Sequence, residues 1–144
     1  MASYAYPERE IAEGKGLAIL AYVGVLINVL GGYFAGSTVA LTGLVLVLFP
    51  LFMAKDNGFV RFNVNQALVT ILLNIAIIVV FALIVKIVNV IPVYFVRQIL
   101  GIVFGILELG CYVPSVLLAA FGIVNTTKGV AKDLPVIGKI KLFR

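Results

Sequence analysis

Four polar residues recur along one apolar stretch of this sequence, Asn63, Gln66, Thr70 and Asn74, at spacings of three, four and four. At 100° per residue that spacing holds them within an arc of about 80° on a helix, so they form one stripe. A second apolar stretch carries Glu108, Cys111, Tyr112 and Ser115 on one face, extended in both directions by Gly101, Ala119, Gly122 and Thr126. That face is a seam of small and polar groups. Counting helical rises from the two ends of an antiparallel pair puts Asn74 and Tyr112 at similar depth, with Glu108 about one turn farther along. Such seams chiefly pack helices together, because small residues permit close approach and hydrogen bonds between helices in lipid add about 0.6–2 kcal/mol. Glu108 stands apart as the sole acid within any long apolar stretch. A carboxyl group there carries a heavy desolvation cost, which leaves two expectations. It is either neutral and hydrogen-bonded to Asn74, Tyr112 or a backbone carbonyl, or it is a proton or cation site facing a polar cavity.

Other chemistry lacks its residues. The chain has no histidine and a single cysteine, Cys111, which excludes an internal disulfide, histidine-based catalysis and zinc sites. The apolar stretches hold no paired carboxylates, no nucleophile beside a histidine base and no phosphate loop, so neither an enzyme nor a cofactor is expected. Gly32 with Gly36 and Gly101 with Gly105 fit the Gly-x-x-x-Gly pattern, but the first pair spans an expected turn and neither specifies a dimer.

The elements that would position these residues follow from composition. Of 144 residues, 63% are hydrophobic and only 12% charged, far from the usual globular balance, and a water-soluble domain could not hide that much apolar surface. Four apolar segments are expected as membrane-crossing helices, at residues 17–34, 39–54, 67–85 and 99–124, the third helix beginning earlier, around Phe59. The second is short at 16 residues, with Pro50 near its end; the fourth has 26, roughly 39 Å at helical rise, and should tilt or bend, with Pro114 the natural place. Gly31, Gly32, Gly36 and Ser37 are expected to form the first turn, and residues 87–96 an apolar connection lying in the interface. Residues 7–13 read as a short surface helix, since Pro7 and Glu8 suit a first turn. The acidic residues Glu8, Glu10 and Glu13 argue against a cleaved secretory leader. The expected architecture is therefore all-α, a polytopic bundle of four transmembrane helices arranged as two hairpins: an N-terminal segment 1–15, a membrane domain 16–127 and a basic tail 128–144.

Charge sets the expected orientation. With four crossings, the N-terminal segment, the polar island at residues 55–66 and the tail share one side with nine of the eleven basic residues, leaving Lys86 and Arg97 opposite. The positive-inside rule makes that side cytoplasmic, with both termini on it. The net charge of +5 does not point to nucleic acid, because the bases form no patch interleaved with aromatics. Basic residues set among Leu134, Val136, Ile137, Ile140, Leu142 and Phe143 suit a tail lying on anionic lipid headgroups, at about 1 kcal/mol per nearby base. Arg61, Asn63, Lys132, Lys139 and Lys141 are the expected cytoplasmic contact surface, and Gln66, Thr70, Asn74, Glu108, Tyr112 and Ser115 the intramembrane seam.

The run Arg61-Phe62-Asn63-Val64-Asn65-Gln66-Ala67 after two apolar segments, then Gly129 and Leu134-Pro135-Val136-Ile137-Gly138-Lys139-Ile140 after the last, resembles a family of small prokaryotic four-helix membrane proteins. That family is grouped with the twenty-kilodalton subunit of the chloroplast inner-envelope import translocon. The resemblance covers residues 17–142, and Asn63 departs from it, since family members usually carry histidine there. It implies a helical bundle in a prokaryotic cell membrane, with a role in protein translocation or membrane protein assembly beside a membrane protein partner or further copies of itself. The alternatives left by the residues are proton-coupled or cation transport at Glu108, and a lipid-interacting regulator acting through the tail.

Overall fold

The computed structural model describes residues 3–138, 140 and 142. Apart from one two-stranded ribbon the described chain is helical. Helix α1 (Glu8–Leu26) begins just after Pro7, with Glu8 and Glu10 in its first turn. It does not stop at residue 13. It runs on through a π-helical turn, Ile27–Gly31, into a last α turn, α2 (Gly32–Ala35). The expected surface helix and first apolar segment are thus one rod, and Gly31 and Gly32 are helical. Breaking the rod among apolar side chains would leave backbone groups without partners, which outweighs the low helix propensity of glycine. The chain reverses at Gly36, whose φ of 92° is open to glycine.

Helix α3 (Ser37–Met53) returns along α1, and Pro50 falls inside its last turn. A tight turn at residues 55–57 leads into α4 (Gly58–Asn89). Asn57 caps α4, accepting from the Val60 amide at 3.0 Å, while its own amide donates to the Glu10 carbonyl at 2.8 Å. Glu10 Oε2 accepts from the Gly58 amide at 2.8 Å, placing an acid at the positive end of the helix. α4 thus begins one residue before the start expected near Phe59, and only the first residues of the polar island are connector. After a connection of residues 90–93, narrower than expected, α5 (Tyr94–Thr127) runs unbroken past Pro114.

α1 is the central rod, packed against α3, α4 and α5; α4 also packs on α3 and α5. The core lies along it, from Ala21, Tyr22 and Val25 to Val64, Ala67 and Ala119. Beyond α5 the chain folds back instead of lying apart. Strand β2 (Ala131–Lys132) pairs antiparallel with β1 (Ser3–Tyr4), and Leu134 and Ile137 enter the main core at 2% and 4% exposure. Leu134 and Ile137, two of the apolar residues assigned to a lipid-lying tail, here close one end of the bundle, while Val136, Ile140 and Leu142 stay exposed.

Three of the helical segments are long and apolar enough to cross a membrane, Glu8–Ala35, Gly58–Asn89 and Tyr94–Thr127, with α3 a shorter apolar helix. Their outward faces carry Leu, Val, Ile and Phe, among them Leu41, Val45, Val79, Leu83, Ile102 and Ile106. Asn63, Gln66, Thr70, Asn74, Ser115 and Thr126 are turned inward and buried. This distribution is the reverse of the usual water-soluble pattern.

Candidate functional site

The α4 stripe is one buried line, but its members do different things. Asn63 lies three residues after Val60 in the first turns of α4, where the burial of Phe59, Val60 and Val64 fixes which face turns inward. Its Oδ1 accepts from Tyr22 on α1 at 3.3 Å and from Thr126 on α5 at 3.0 Å, and its amide donates to the Phe59 carbonyl at 2.8 Å. Three helices meet on one carboxamide. Asn63 is only 2% exposed, so it belongs to this junction and not to the contact surface where the sequence placed it. Its helical register turns it toward Tyr22, whereas Arg61, two residues earlier, stays exposed.

Gln66 reaches the tail: its Oε1 accepts from the Leu134 amide at 2.9 Å, and its Nε2 lies 3.5 Å from the Lys132 carbonyl. Its neighbour Asn65 donates to the Ile140 carbonyl at 2.8 Å and accepts from the Leu142 amide. Thr70 donates to the Gln66 carbonyl at 2.9 Å, within its own helix. The part of the seam nearest the closed end is thus internally bonded. On α5 the buried face is Tyr112, Ser115, Leu118, Ala119, Gly122 and Thr126, as the spacing indicates. Gly122 is required where it is, because a Cβ there would fall on the Tyr22 ring. Gly101, expected to extend this face, is exposed, with open space where a side chain would stand.

Farther along the bundle the packing loosens. Asn74, Glu108 and Tyr112 come together around a cavity of about 540 Å³, joined by Asn28 and Tyr33 from the α1–α2 rod. The Tyr112 hydroxyl donates to Glu108 Oε1 at 2.9 Å, which is one of the partners the sequence offered for that acid. Asn74 is 1% exposed, and its Oδ1 has no hydrogen-bond partner among the described residues. An unpaired buried carbonyl costs about 1–3 kcal/mol, so a donor entering the cavity would recover it. Ser115 Oγ is also buried without a partner, but Ser115 is not among the cavity's lining residues. Asn28 donates to the Ala40 carbonyl at 2.8 Å, fastening the π turn to α3.

Sequence reasoning missed Tyr22 and Asn28. Both are polar residues in an otherwise uncharged first segment, and that isolation was the available signal. Of the expected contact surface, Arg61 and Lys132 are exposed; Lys139 and Lys141 lie outside the described residues. Comparison with protein-family models, curated proteins and solved structures finds no match. The site is therefore read from its own geometry.

Proposed function

We propose that the protein is a non-enzymatic integral membrane scaffold or accessory subunit, its four helices crossing the bilayer as two hairpins with both termini cytoplasmic. Insertion is supported by the apolar outward faces and the inward polar line, which suit lipid and not water. Orientation rests on the excess of basic residues at the closed end. The observation that carries the scaffold reading is the bonding of Asn63, Asn65 and Gln66 to the chain's own elements, which leaves that half of the seam packed instead of conducting. It also braces the closed end as a platform on which Arg61, Lys128 and Lys132 stand exposed. The partner would be another membrane protein or a second copy of this chain, with anionic headgroups beside it. Protein translocation or membrane protein assembly is the process that the motif resemblance suggests.

A photo-crosslinking side chain in place of Lys132, in native membranes, is expected to give one discrete protein adduct. Arg61→Glu should remove that adduct. Labelling of lipid alone, or an adduct indifferent to Arg61→Glu, would overturn the scaffold reading.

The second reading, proton-coupled or cation transport, draws on the cavity at Glu108. The packed half of the seam argues against it, because the polar residues of α4 between that cavity and the closed end are bonded to the chain's own groups. Liposomes holding the purified protein should therefore show no pH-dependent cation flux. Flux that disappears in Glu108→Gln would reverse the order of the two readings.

A further inference from the structure

The cavity beside the π turn has the makings of a ligand site that neither the scaffold reading nor the seam accounts for. Its polar lining includes two acceptors that no described residue pairs. Glu108 Oε1 already receives the Tyr112 proton, Oε2 receives none from the described residues, and the buried Asn74 Oδ1 is likewise unpaired. Asn28 spends one of its two amide N–H groups on the Ala40 carbonyl. Among the lining donors, which also include the Tyr33 hydroxyl and the Asn28 and Asn74 amides, the Tyr112 hydroxyl is already committed to Glu108. A guest that pairs both Glu108 Oε2 and Asn74 Oδ1 must bring hydrogen-bond donors, and the carboxyl group favours one whose donors carry positive charge.

The remaining wall is apolar, with Leu41, Leu44, Ile75 and Ile78 among its residues. Leu41, Tyr33, Ile75 and Ile78 are also exposed on the outer surface, so the cavity opens sideways through the faces assigned to lipid. Entry is from the hydrocarbon. A free inorganic cation would not arrive by that route, whereas a molecule with an apolar body would. The π turn at Ile27–Gly31 adds a local reason, since it places Asn28 and Val29 at the wall where an unbroken α-helix would shift them around the axis.

We propose that this cavity binds an amphipathic primary amine, its ammonium group donating to Glu108 and Asn74 and its hydrocarbon part lying on the apolar wall. The inference rests on membrane insertion but not on the choice between scaffold and carrier. The charge and the donors contribute separately: the carboxylate selects a cation, and the unpaired Asn74 oxygen selects one that still carries N–H groups. The Tyr112 hydroxyl fixes the carboxylate in place.

The test uses the full chain in nanodiscs, with radiolabelled n-octylammonium as probe and empty nanodiscs to subtract partition into lipid. Saturable binding is expected, with competition by n-octyltrimethylammonium weaker than by unlabelled n-octylammonium, and weakest of all by n-octanol. Glu108→Gln preserves shape and an acceptor for Tyr112, yet should weaken binding roughly tenfold or more. Leu41→Trp fills the cavity from its exposed side without touching a polar group, and should abolish binding while the helical circular dichroism is unchanged. Non-saturable uptake by the parent protein, or equal uptake by the parent and both variants, would overturn the proposal. Carbonate extraction of the source membranes reports insertion separately, since an inserted protein stays in the pellet whatever the cavity binds.

Discussion

Replacing Asn63 by leucine is expected to destabilise the bundle by about 2–4 kcal/mol, although the two side chains branch alike and have the same number of heavy atoms. The loss arises mainly at Tyr22. Its hydroxyl is buried and donates to Asn63 Oδ1, and leucine offers that proton nothing. Thr126 suffers less, because its hydroxyl also lies 2.8 Å from the Gly122 carbonyl. An overpacking cost comes on top, since the ring of Tyr22 rests on Gly122 and cannot retreat toward α5. The measurement is unfolding by sodium dodecyl sulfate in mixed micelles, followed by helical circular dichroism. Adding Tyr22→Phe to Asn63→Leu should recover part of the loss, with a coupling of about 1–2 kcal/mol, because the orphaned proton is then gone. Strict additivity of the two substitutions would show that Asn63 contributes by packing alone. The result bears on function as well as stability: this junction fixes α1 against both α4 and α5, and hence the position of the π turn at the far cavity.

The two long polar lines were legible because helical periodicity is a local property. Spacings of three and four put Asn63, Gln66, Thr70 and Asn74 on one face of α4, and the structure buries all four. The same arithmetic brought Asn74 and Tyr112 to one level with Glu108 about a turn farther along, and the three line one cavity. Partner choice was not legible. Nothing in the pattern of α4 and α5 says that Asn63 turns to Tyr22 on α1, or that Asn65 and Gln66 turn to the tail, because those bonds join residues 41 to 77 positions apart. The fate of the tail was misjudged for a related reason. Leu134 and Ile137 among basic residues suit a lipid surface on composition, and only the tertiary fold shows them entering the core. At Gly31 and Gly32 the misreading was one of weights: two glycines resemble a turn, but the rod needs its backbone hydrogen bonds more than it needs a break there.

Truncation before Leu134 is expected to have the largest effect, lowering stability by about 4–6 kcal/mol in the same detergent titration. A tail lying on headgroups would predict no such loss. Here Leu134 and Ile137 belong to the main core, and the turn between them carries Val136 at a φ of 69° with its side chain 95% exposed. A β-branched residue in the left-handed region is unfavourable by about 1–2 kcal/mol, and the turn persists because burial of its two apolar flanks outweighs that cost. Removing the segment also takes the Leu134 amide from Gln66, and the Ile140 carbonyl and Leu142 amide from Asn65. Those side chains then need water, so the closed end must loosen. A cysteine introduced at Gln66 should accordingly pass from unreactive to reactive with a membrane-impermeant maleimide, while Cys111, remote from the tail, serves as internal reference. Any partner lost from the truncated protein has then lost a braced platform and not merely a basic tail. Substituting Lys132 alone, which leaves the core contacts in place, separates the two. An unchanged midpoint after truncation would return Leu134 and Ile137 to the surface and remove the frame that holds Arg61 and Lys132 in register.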